Sequence, residues 1–354
     1  MEQAEFYEHD VTPAPNAPNL VQSSSAMWGC LGCLPHGDVR AAFRRGTSPP
    51  TTKGVLVKVH ILDQEFLGIP HAIASFLVEA RDGPILIETG PAGVQERLEQ
   101  KVRALGFEPN EVKHVLVTHI HLDHSGGAGY WAARGSTIYV HPVGGPHLID
   151  PSKLLASASR IYLDQMDYLW GTTLPVPAEQ VVELGDTTCE IAGLAIRAVQ
   201  SPGHASHHLA YLFGDRLFTG DVAGCRLPGC EYVSVPGPPP EFQLETWLES
   251  LDKLESLTPS KLYLTHFGEV DRPQEHFARL RRRLQDCSDF VYQNRHLSPQ
   301  ALMGAYQEWD RREAGRWGVE GEAYLAYEKA NPSYMSAQGI GRYWAKKLSS
   351  SSAS

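Results

Sequence analysis

The hydrophobic positions of the chain alternate between short β-branched runs and stretches with helical spacing. Residues 55–62, 73–79 and 84–87 are apolar runs separated by turn residues, which predicts three successive strands. Residues 94–105 have apolar positions at intervals of three or four, which predicts an amphipathic helix. Residues 137–141 return to a strand pattern. This mixture of strands and helices indicates an α/β fold.

One predicted strand leads into a segment rich in side chains that bind metals. Residues 114–118 form a short apolar run, and three histidines and one aspartate follow within six positions. His119 and His121 are two residues apart, so an extended chain points both side chains to the same side. Asp123 and His124 come where a helix is expected to begin, with the Asp123 carboxylate as its cap. A histidine-rich surface loop is the alternative, but the full HxHxDH pattern after a strand favours a metal site.

Three further predicted strand ends supply ligands of the same types. A strand pattern over 194–199 is followed by His204, a hairpin pattern ends at Asp221, and a third strand pattern ends at His266. Any one of these residues alone is weak evidence, because a histidine or aspartate at a strand end is commonly structural. Their occurrence together, downstream of the HxHxDH motif, predicts one catalytic metal centre.

This set of motifs resembles the metallo-β-lactamase superfamily over roughly residues 55–290. The run 85–87 leads into Glu88-Thr89-Gly90, where the family has Asp-Thr-Gly, and we expect Glu88 to support the metal ligands through hydrogen bonds. The resemblance implies an αββα four-layer sandwich, two sheets with helices outside. It rests on the HxHxDH motif together with His204, Asp221 and His266.

The resemblance also implies two divalent metal ions. Seven ligands exceed what one zinc ion uses, which agrees with a binuclear site. Zinc is the preferred ion, with iron and manganese as alternatives, because imidazole and carboxylate ligands suit all three. One ion would be held by His119, His121 and His204, and the other by Asp123, His124 and His266, with Asp221 bridging them.

The activity expected from this site is hydrolysis of an ester, thioester or lactone bond of a small molecule by a metal-bridging hydroxide. Asp123 and Asp221 are assigned catalytic roles as well as ligand roles. The alternative is a mononuclear iron oxidoreductase similar to persulfide dioxygenases, which would use His119, His204 and Asp221 and leave Asp123, His124 and His266 without a metal. A catalytically silent binding protein on the same fold is the third interpretation.

Composition and charge limit the classes of partner that we expect the protein to bind. The net charge is −10, and the one basic run, residues 279–283, is typical of a solvated helix face, so we expect no nucleic acid partner. No run reaches the roughly 18 to 20 apolar residues that span a bilayer, so we expect no membrane partner. Six scattered cysteines and the lack of a signal-peptide pattern are typical of a cytoplasmic protein.

Three regions are predicted along the chain. Residues 1–54 form an arm rich in Pro and Ser, whose Cys30 and Cys33 we interpret as part of an ordinary loop. Residues 55–295 form the catalytic domain. Residues 296–348 form a helical C-terminal extension, which docks either on the domain or on a second subunit in a homodimer.

Two segments are candidates for the wall of a substrate pocket. Residues 153–170 have a helical pattern rich in large side chains, and we expect them to cover the metal cleft with Tyr162 and Met166 at the pocket. The loop over residues 222–240 starts at a predicted ligand and carries Arg226, which could hold an anionic group. For each of these side chains the alternative is ordinary packing, or a surface ion pair in the case of Arg226.

Overall fold

The computed structural model describes residues 58–351. The predicted arm over residues 1–54, including Cys30 and Cys33, lies outside the described residues. No helix within 58–351 is both long and apolar enough to cross a bilayer.

The first sheet has six strands in sequential order. Its first three strands pair antiparallel, and the next three join in parallel. The predicted strands over 73–79, 84–87 and 137–141 are confirmed within one residue. The strands are β1 Lys58–Asp63, β2 Ala74–Ala80, β3 Gly83–Ile87, β4 His114–Leu116, β5 Thr137–Val140 and β6 Val181–Glu183.

The second sheet also has six strands, again in the order in which they occur along the chain. All neighbours pair antiparallel except β10 and β11, which are parallel because a helix connects them. The strands are β7 Thr187–Ile191, β8 Leu194–Gln200, β9 Leu209–Phe213, β10 Arg216–Gly220, β11 Lys261–Leu264 and β12 Gly268–Val270.

The helices lie outside the two sheets. The helical pattern over 153–170 is interrupted, contrary to expectation: Leu163 has a φ of 49°, which ends one helix, and a second helix begins three residues later. The helices are α1 Gln95–Ala104, α2 Leu122–Ser125, α3 Ala128–Ala132, α4 Gly145–Ile149, α5 Ser152–Tyr162, α6 Met166–Trp170, α7 Leu244–Glu255, α8 Pro273–Gln293, α9 Pro299–Gly315, α10 Gly321–Ala330 and α11 Ser333–Ser351.

Buried side chains on both faces of each sheet produce four layers. In β2, Phe76 and Val78 pack between the sheets, whereas Leu77 points to the outer face and packs with α1 and α3. The outer face of the second sheet is covered by α7 and α8. This arrangement is the αββα sandwich that the resemblance implied.

The C-terminal helices pack on the domain. Leu302 of α9 and Ile340 of α11 belong to the same buried cluster as α7, α8 and the second sheet. A buried ion pair joins Arg283 of α8 to Asp310 of α9 at 2.8 Å, and the Tyr232 hydroxyl donates to the same carboxylate at 2.5 Å. The extension is therefore continuous with the core of the sandwich.

Candidate metal centre

The seven predicted ligands meet at one edge of the sandwich. The two sheets are joined there, because the backbone N–H of Leu209 donates to the carbonyl of Thr118 at 2.7 Å. Loops that leave neighbouring strands at this edge bring the ligands together. They are His119 and His121 after β4, Asp123 and His124 in α2, His204 after β8, Asp221 after β10 and His266 after β11.

The expected cap of the helix in the HxHxDH motif is wrong by two residues. Helix α2 begins at Leu122, and the residue before it, His121, has the extended backbone of a cap position. Asp123 therefore lies in the first turn of α2, where a negative charge is stabilised by the helix dipole.

Three histidines present their ring nitrogens to one point. The Nε2 atom of His119 lies 2.9 Å from Nδ1 of His121, and Nε2 of His204 lies 3.2 and 3.0 Å from these two atoms. Since Nδ1 of His204 donates to the carbonyl of Pro236 at 2.6 Å, its Nε2 carries a lone pair. Nitrogens bound to one tetrahedral zinc at about 2.0–2.1 Å lie about 3.3 Å apart, so the spacing fits a shared cation.

A second group lies beside the first. Oδ2 of Asp123 is 3.7 Å from Nε2 of His124 and 3.4 Å from Nε2 of His266. Nδ1 of His266 donates to the carbonyl of Ala72 at 2.8 Å, which leaves Nε2 as the ring nitrogen that faces Asp123. These three residues offer one carboxylate oxygen and two imidazole nitrogens, a donor set that suits a divalent metal.

Asp221 lies between the two groups and faces both. Its Oδ1 atom is 3.2 Å from Nε2 of His124 and 3.5 Å from Nε2 of His266, whereas its Oδ2 is 3.4 Å from Nε2 of His204. Oδ1 of Asp221 and Nε2 of His124 are buried and have no hydrogen-bond partner of acceptable geometry among the described residues. Buried polar atoms of this kind are costly, and divalent cations coordinated on either side of Asp221 would satisfy them.

Burial favours the neutral form of the three histidines in the first group, which is the form that binds metal. Burial lowers the pKa of His121 and of His204 to about 4, and it lowers the pKa of His119 well below its usual value. These imidazoles are therefore neutral near pH 7, as metal ligands must be. Burial opposes ionisation of Asp123, but the neighbouring His124 and His266 outweigh it and lower the pKa of that carboxyl to about 2.

Glu88 lies directly behind the ligands, as expected. It is fully buried with a φ of 62°, an uncommon conformation for a residue other than glycine. Its carboxylate accepts from the Thr118 hydroxyl at 2.5 Å and contacts Nδ1 of His124 at 3.0 Å. The Thr265 hydroxyl donates to it at 3.3 Å. Its role in retaining the metal stays a prediction.

Two further histidines contribute to the site and were missing from the sequence analysis. His208 accepts the backbone N–H of Asp221 at its Nε2 (3.2 Å), and its Nδ1 lies 2.9 Å from the Ser201 hydroxyl, so it orients Asp221. His207 lines the cavity above the centre, with Nε2 3.4 Å from Glu241. Both histidines follow His204 within four residues, and this closeness in the sequence is the signal from which they could have been predicted.

A cavity of about 790 Å³ opens over the centre. Asp123, Asp221 and His266 line one end of it, and Tyr162 lines its wall as predicted.

The expectation that Met166 and Arg226 lie at the substrate pocket is wrong for this cavity, since within the described chain neither residue lines it. Met166 packs into the apolar cluster behind the wall, and Arg226 is held by the carbonyl of Cys230 and the carboxylate of Glu231, both at 2.7 Å.

Comparison with known proteins identifies the family. The sequence model of the Metallo-beta-lactamase superfamily matches residues 68–266, more than half of the chain, and the chain belongs to this superfamily. It is 29% identical over 171 residues to the metallo-beta-lactamase fold-containing protein ST1585 of Sulfurisphaera tokodaii, covering 46% of this chain. It is 29% identical over 195 residues to an atrochrysone carboxyl ACP thioesterase of Aspergillus fumigatus, covering 54% of this chain. The matched regions span 62% and 49% of the lengths of these two relatives.

Solved structures show the same fold. The crystal structure of the archaeal ST1585 protein covers 80% of this chain and 97% of its own, with a TM-score of 0.58 and 20% identity. The metallo-beta-lactamase family protein TTHA1429 of Thermus thermophilus covers 82% of this chain and 94% of its own, with a TM-score of 0.57 and 20% identity. The superfamily and the clustered His and Asp side chains together imply divalent metal ions at this centre.

Proposed function

We propose that this protein is a binuclear metal-dependent hydrolase that cleaves a thioester, ester or lactone bond of a small molecule. The observation that carries the proposal is the position of Asp221, whose two carboxylate oxygens face two separate groups of nitrogen and oxygen donors. A single-ion site would need no such carboxylate between two complete ligand sets. Zinc is the ion that we expect at both positions.

Each residue of the site has a separate role in the proposed reaction. When bound, two divalent ions supply a water of lowered pKa and polarise the carbonyl oxygen of the scissile bond. Asp221 holds the two ligand groups in register, and His208 fixes Asp221 through its backbone N–H. Asp123 reaches the cavity with a side chain that is 21% exposed, so its outer oxygen can orient the attacking water. Water adds across the acyl bond and gives a carboxylic acid and a thiol or alcohol, which stay joined as one hydroxy acid when the substrate is a lactone.

Among these substrates we favour thioesters. Several related proteins carry names that describe this activity, among them the atrochrysone carboxyl ACP thioesterase of Aspergillus fumigatus and the thioesterase pkgB of Emericella nidulans. A cavity of about 790 Å³ over the metal centre is large enough for a complex acyl group. Thioesters, oxygen esters and lactones share the carbonyl that the site would polarise, so all three are tested together.

Metal analysis and hydrolysis assays test the proposal together. Protein purified without added metal is analysed for bound ions and assayed on acetyl thioesters, p-nitrophenyl esters and lactones. We expect two divalent ions per chain and hydrolysis of at least one class. Asp221→Asn keeps the shape of the side chain but removes its charge, and we expect it to lower metal content and to reduce hydrolysis by about a hundredfold or more.

Asp215→Asn is the matched control, because Asp215 lies exposed in the hairpin turn between β9 and β10. It is expected to keep both metal content and activity. One iron per chain with oxygen uptake, and no hydrolysis of any ester, would overturn the proposal in favour of the mononuclear oxidoreductase. Two ions per chain with full hydrolysis in Asp221→Asn would overturn the bridging role.

A further inference from the structure

The cavity over the metal centre has two walls of different origin. One wall consists of α5, α6 and the segment around Phe66 and Ile73. The facing wall comes from the C-terminal extension, at the turn between α10 and α11. That second wall lies outside residues 68–266, the part of the chain that matches the superfamily. The chamber between them, defined by this lining, is therefore a feature built by the extension of this chain.

The first wall is mostly apolar and contains packed aromatic rings. The rings of Phe66 and Trp170 are stacked with centroids 5.7 Å apart, and Tyr162 meets Trp170 edge-on at 5.0 Å. Ala158 is buried beside them and lines the chamber. Aromatic pairs of this kind lose little conformational entropy when a ligand packs on them, because their rings are already held.

The second wall is anchored firmly to the domain. Ala330, Pro332 and Met335 line the chamber, and the side chain of Asn331 between them donates to the Ser234 hydroxyl at 2.7 Å. The Tyr162 hydroxyl donates to the sulfur of Met335 at 3.8 Å, which joins the two walls directly. The chamber is thus a fixed space rather than a gap between loose segments.

The carboxylate in the second wall is already hydrogen-bonded. Glu328 lines the chamber, but its carboxylate accepts from Gln307 at 2.9 Å and from Tyr324 at 3.1 Å. At the opposite end, the lining side chains include the metal-centre residues Asp123 and Asp221. The side chains that line the two walls are mostly apolar, with Lys153, Arg311 and Lys329 among the charged exceptions. The metal-centre carboxylates lie at one end, so the chamber suits a ligand with an apolar body and a reactive polar group at one end.

We infer that the substrate carries a bulky apolar acyl group, a medium-length alkyl chain or a ring system, which fills the chamber between α5 and the C-terminal extension while its carbonyl lies at the metal centre. This inference rests on the proposed function, since it names the acyl part of the bond that the centre cleaves. Each methylene that enters an apolar chamber adds about 0.8 kcal/mol of transfer free energy, or about fourfold in affinity. Specificity would then increase with acyl length until the chamber is full.

The test compares acyl lengths on the metal-loaded protein. Rates of hydrolysis are measured for p-nitrophenyl acetate, butyrate, hexanoate and decanoate and for the corresponding thioesters. We expect kcat/KM to increase by about fourfold or less per added methylene up to the length that fills the chamber. Binding of acetate, hexanoate and decanoate, measured by calorimetry, provides a readout independent of turnover, and decanoate is expected to bind at least about tenfold more tightly than acetate.

Two variants test whether the chamber causes the dependence of kcat/KM on acyl length. Ala158→Leu places extra volume in the chamber and is expected to abolish the preference for decanoate over acetate. Ala156→Leu is the matched control on the exposed side of the same helix, and it is expected to keep the preference. Tyr162→Ala, which widens the chamber and removes the contact with Met335, is expected to shift the preference to longer acyl groups, and it serves if Ala158→Leu fails to fold.

The outcomes separate this inference from the proposed function. Hydrolysis with equal kcat/KM for all lengths, or a preference unchanged in both Ala158→Leu and Tyr162→Ala, would overturn the inference and leave the hydrolase proposal standing. Tight, chamber-dependent binding of decanoate without hydrolysis of any ester, thioester or lactone would overturn the hydrolase proposal and leave the apolar chamber as a binding site.

Discussion

Ser336 of α11 and His204 of the metal centre hold the same short loop from two sides. The Ser336 hydroxyl donates to the carbonyl of Val235 at 2.6 Å and accepts the backbone N–H of Gly237 at 3.1 Å. Between these two residues, the carbonyl of Pro236 accepts from Nδ1 of His204 at 2.6 Å. The C-terminal extension thereby fixes the acceptor that orients a predicted metal ligand, a partner of the kind that commonly tunes metal affinity.

Replacement of Ser336 by alanine tests this connection. Ser336→Ala leaves a buried carbonyl and N–H without their partner, so we expect a loss of about 1–3 kcal/mol in the free energy of unfolding. We also expect metal affinity to fall by about tenfold, because the Pro236 carbonyl is no longer fixed. Competition with a chromogenic chelator measures the affinity. Ser349→Ala, at an exposed position of the same helix, is the control, and an affinity equal to that of the control would contradict the connection.

Glu88 is predicted to retain the metal through the ligands that it touches. Its carboxylate contacts Thr118, His124 and Thr265. Glu88→Gln replaces one oxygen by an amide N–H₂, which repels the Thr118 N–H or hydroxyl donor, so we expect metal affinity to fall by about 10- to 100-fold. Metal content after dialysis against a chelator is the measurement. Glu79→Gln, on a partly exposed strand position, is the control, and unchanged metal content in Glu88→Gln would remove Glu88 from the site.

The clustering of the candidate ligands could be predicted from the sequence because most of them lie within a few residues of a strand end. His119 and Asp221 follow hydrophobic runs that are recognisable by themselves, and a strand end has a limited choice of positions at the edge of a sheet. The same argument applied to His208, which follows His204 by four residues. It was missed because nothing local distinguishes a ligand from the residue that orients a ligand.

The substrate wall was harder to predict because side-chain direction in a loop depends on distant partners. Arg226 follows Asp221 closely, yet Glu231 and the carbonyl of Cys230 draw it away from the cavity. Met166 and Tyr162 have the same helical spacing, but the break at Leu163 changes which of them faces the chamber. The opposite wall is built by residues more than 160 positions later in the chain, such as Met335, whose contact with Tyr162 no local pattern encodes.

Gly220 is predicted to be essential for the position of Asp221. It has a φ of 51°, and a Cβ there would lie 2.4 Å from the Thr118 hydroxyl and 2.7 Å from Nε2 of His208. Both atoms belong to the support of the ligands, so Gly220→Ala must displace them. We expect a loss of metal affinity of at least about tenfold, together with lower thermal stability.

A matched control separates backbone strain from this steric clash. Gly106 also has a positive φ, 89°, but a Cβ at that position would meet no atom within 4 Å. Gly106→Ala is therefore expected to cost about 1 kcal/mol of stability from the backbone alone and to leave metal affinity unchanged. Equal metal affinities in Gly220→Ala and Gly106→Ala would show that the space around Gly220 does not matter to the centre.

His276 of α8 is predicted to make stability depend on pH. Burial lowers the pKa of His276 to about 4, and its Nε2 donates to the carbonyl of Ala223 at 2.7 Å, so the folded protein holds a neutral imidazole. In the unfolded chain the same group binds a proton near its usual pKa of 6.5. The stability that depends on the neutral ring is complete above that value and is lost as the pH falls toward 4, at about 1.4 kcal/mol per pH unit.

Urea unfolding of the metal-loaded protein at several pH values between these limits measures how the free energy of unfolding changes with pH. The His276→Gln variant keeps a donor but cannot titrate, so its free energy of unfolding is expected to change with pH by about 1.4 kcal/mol less per pH unit. His296→Gln, at an exposed position, is the control. Parallel slopes for the wild-type protein and His276→Gln would show that burial of this ring does not control acid stability.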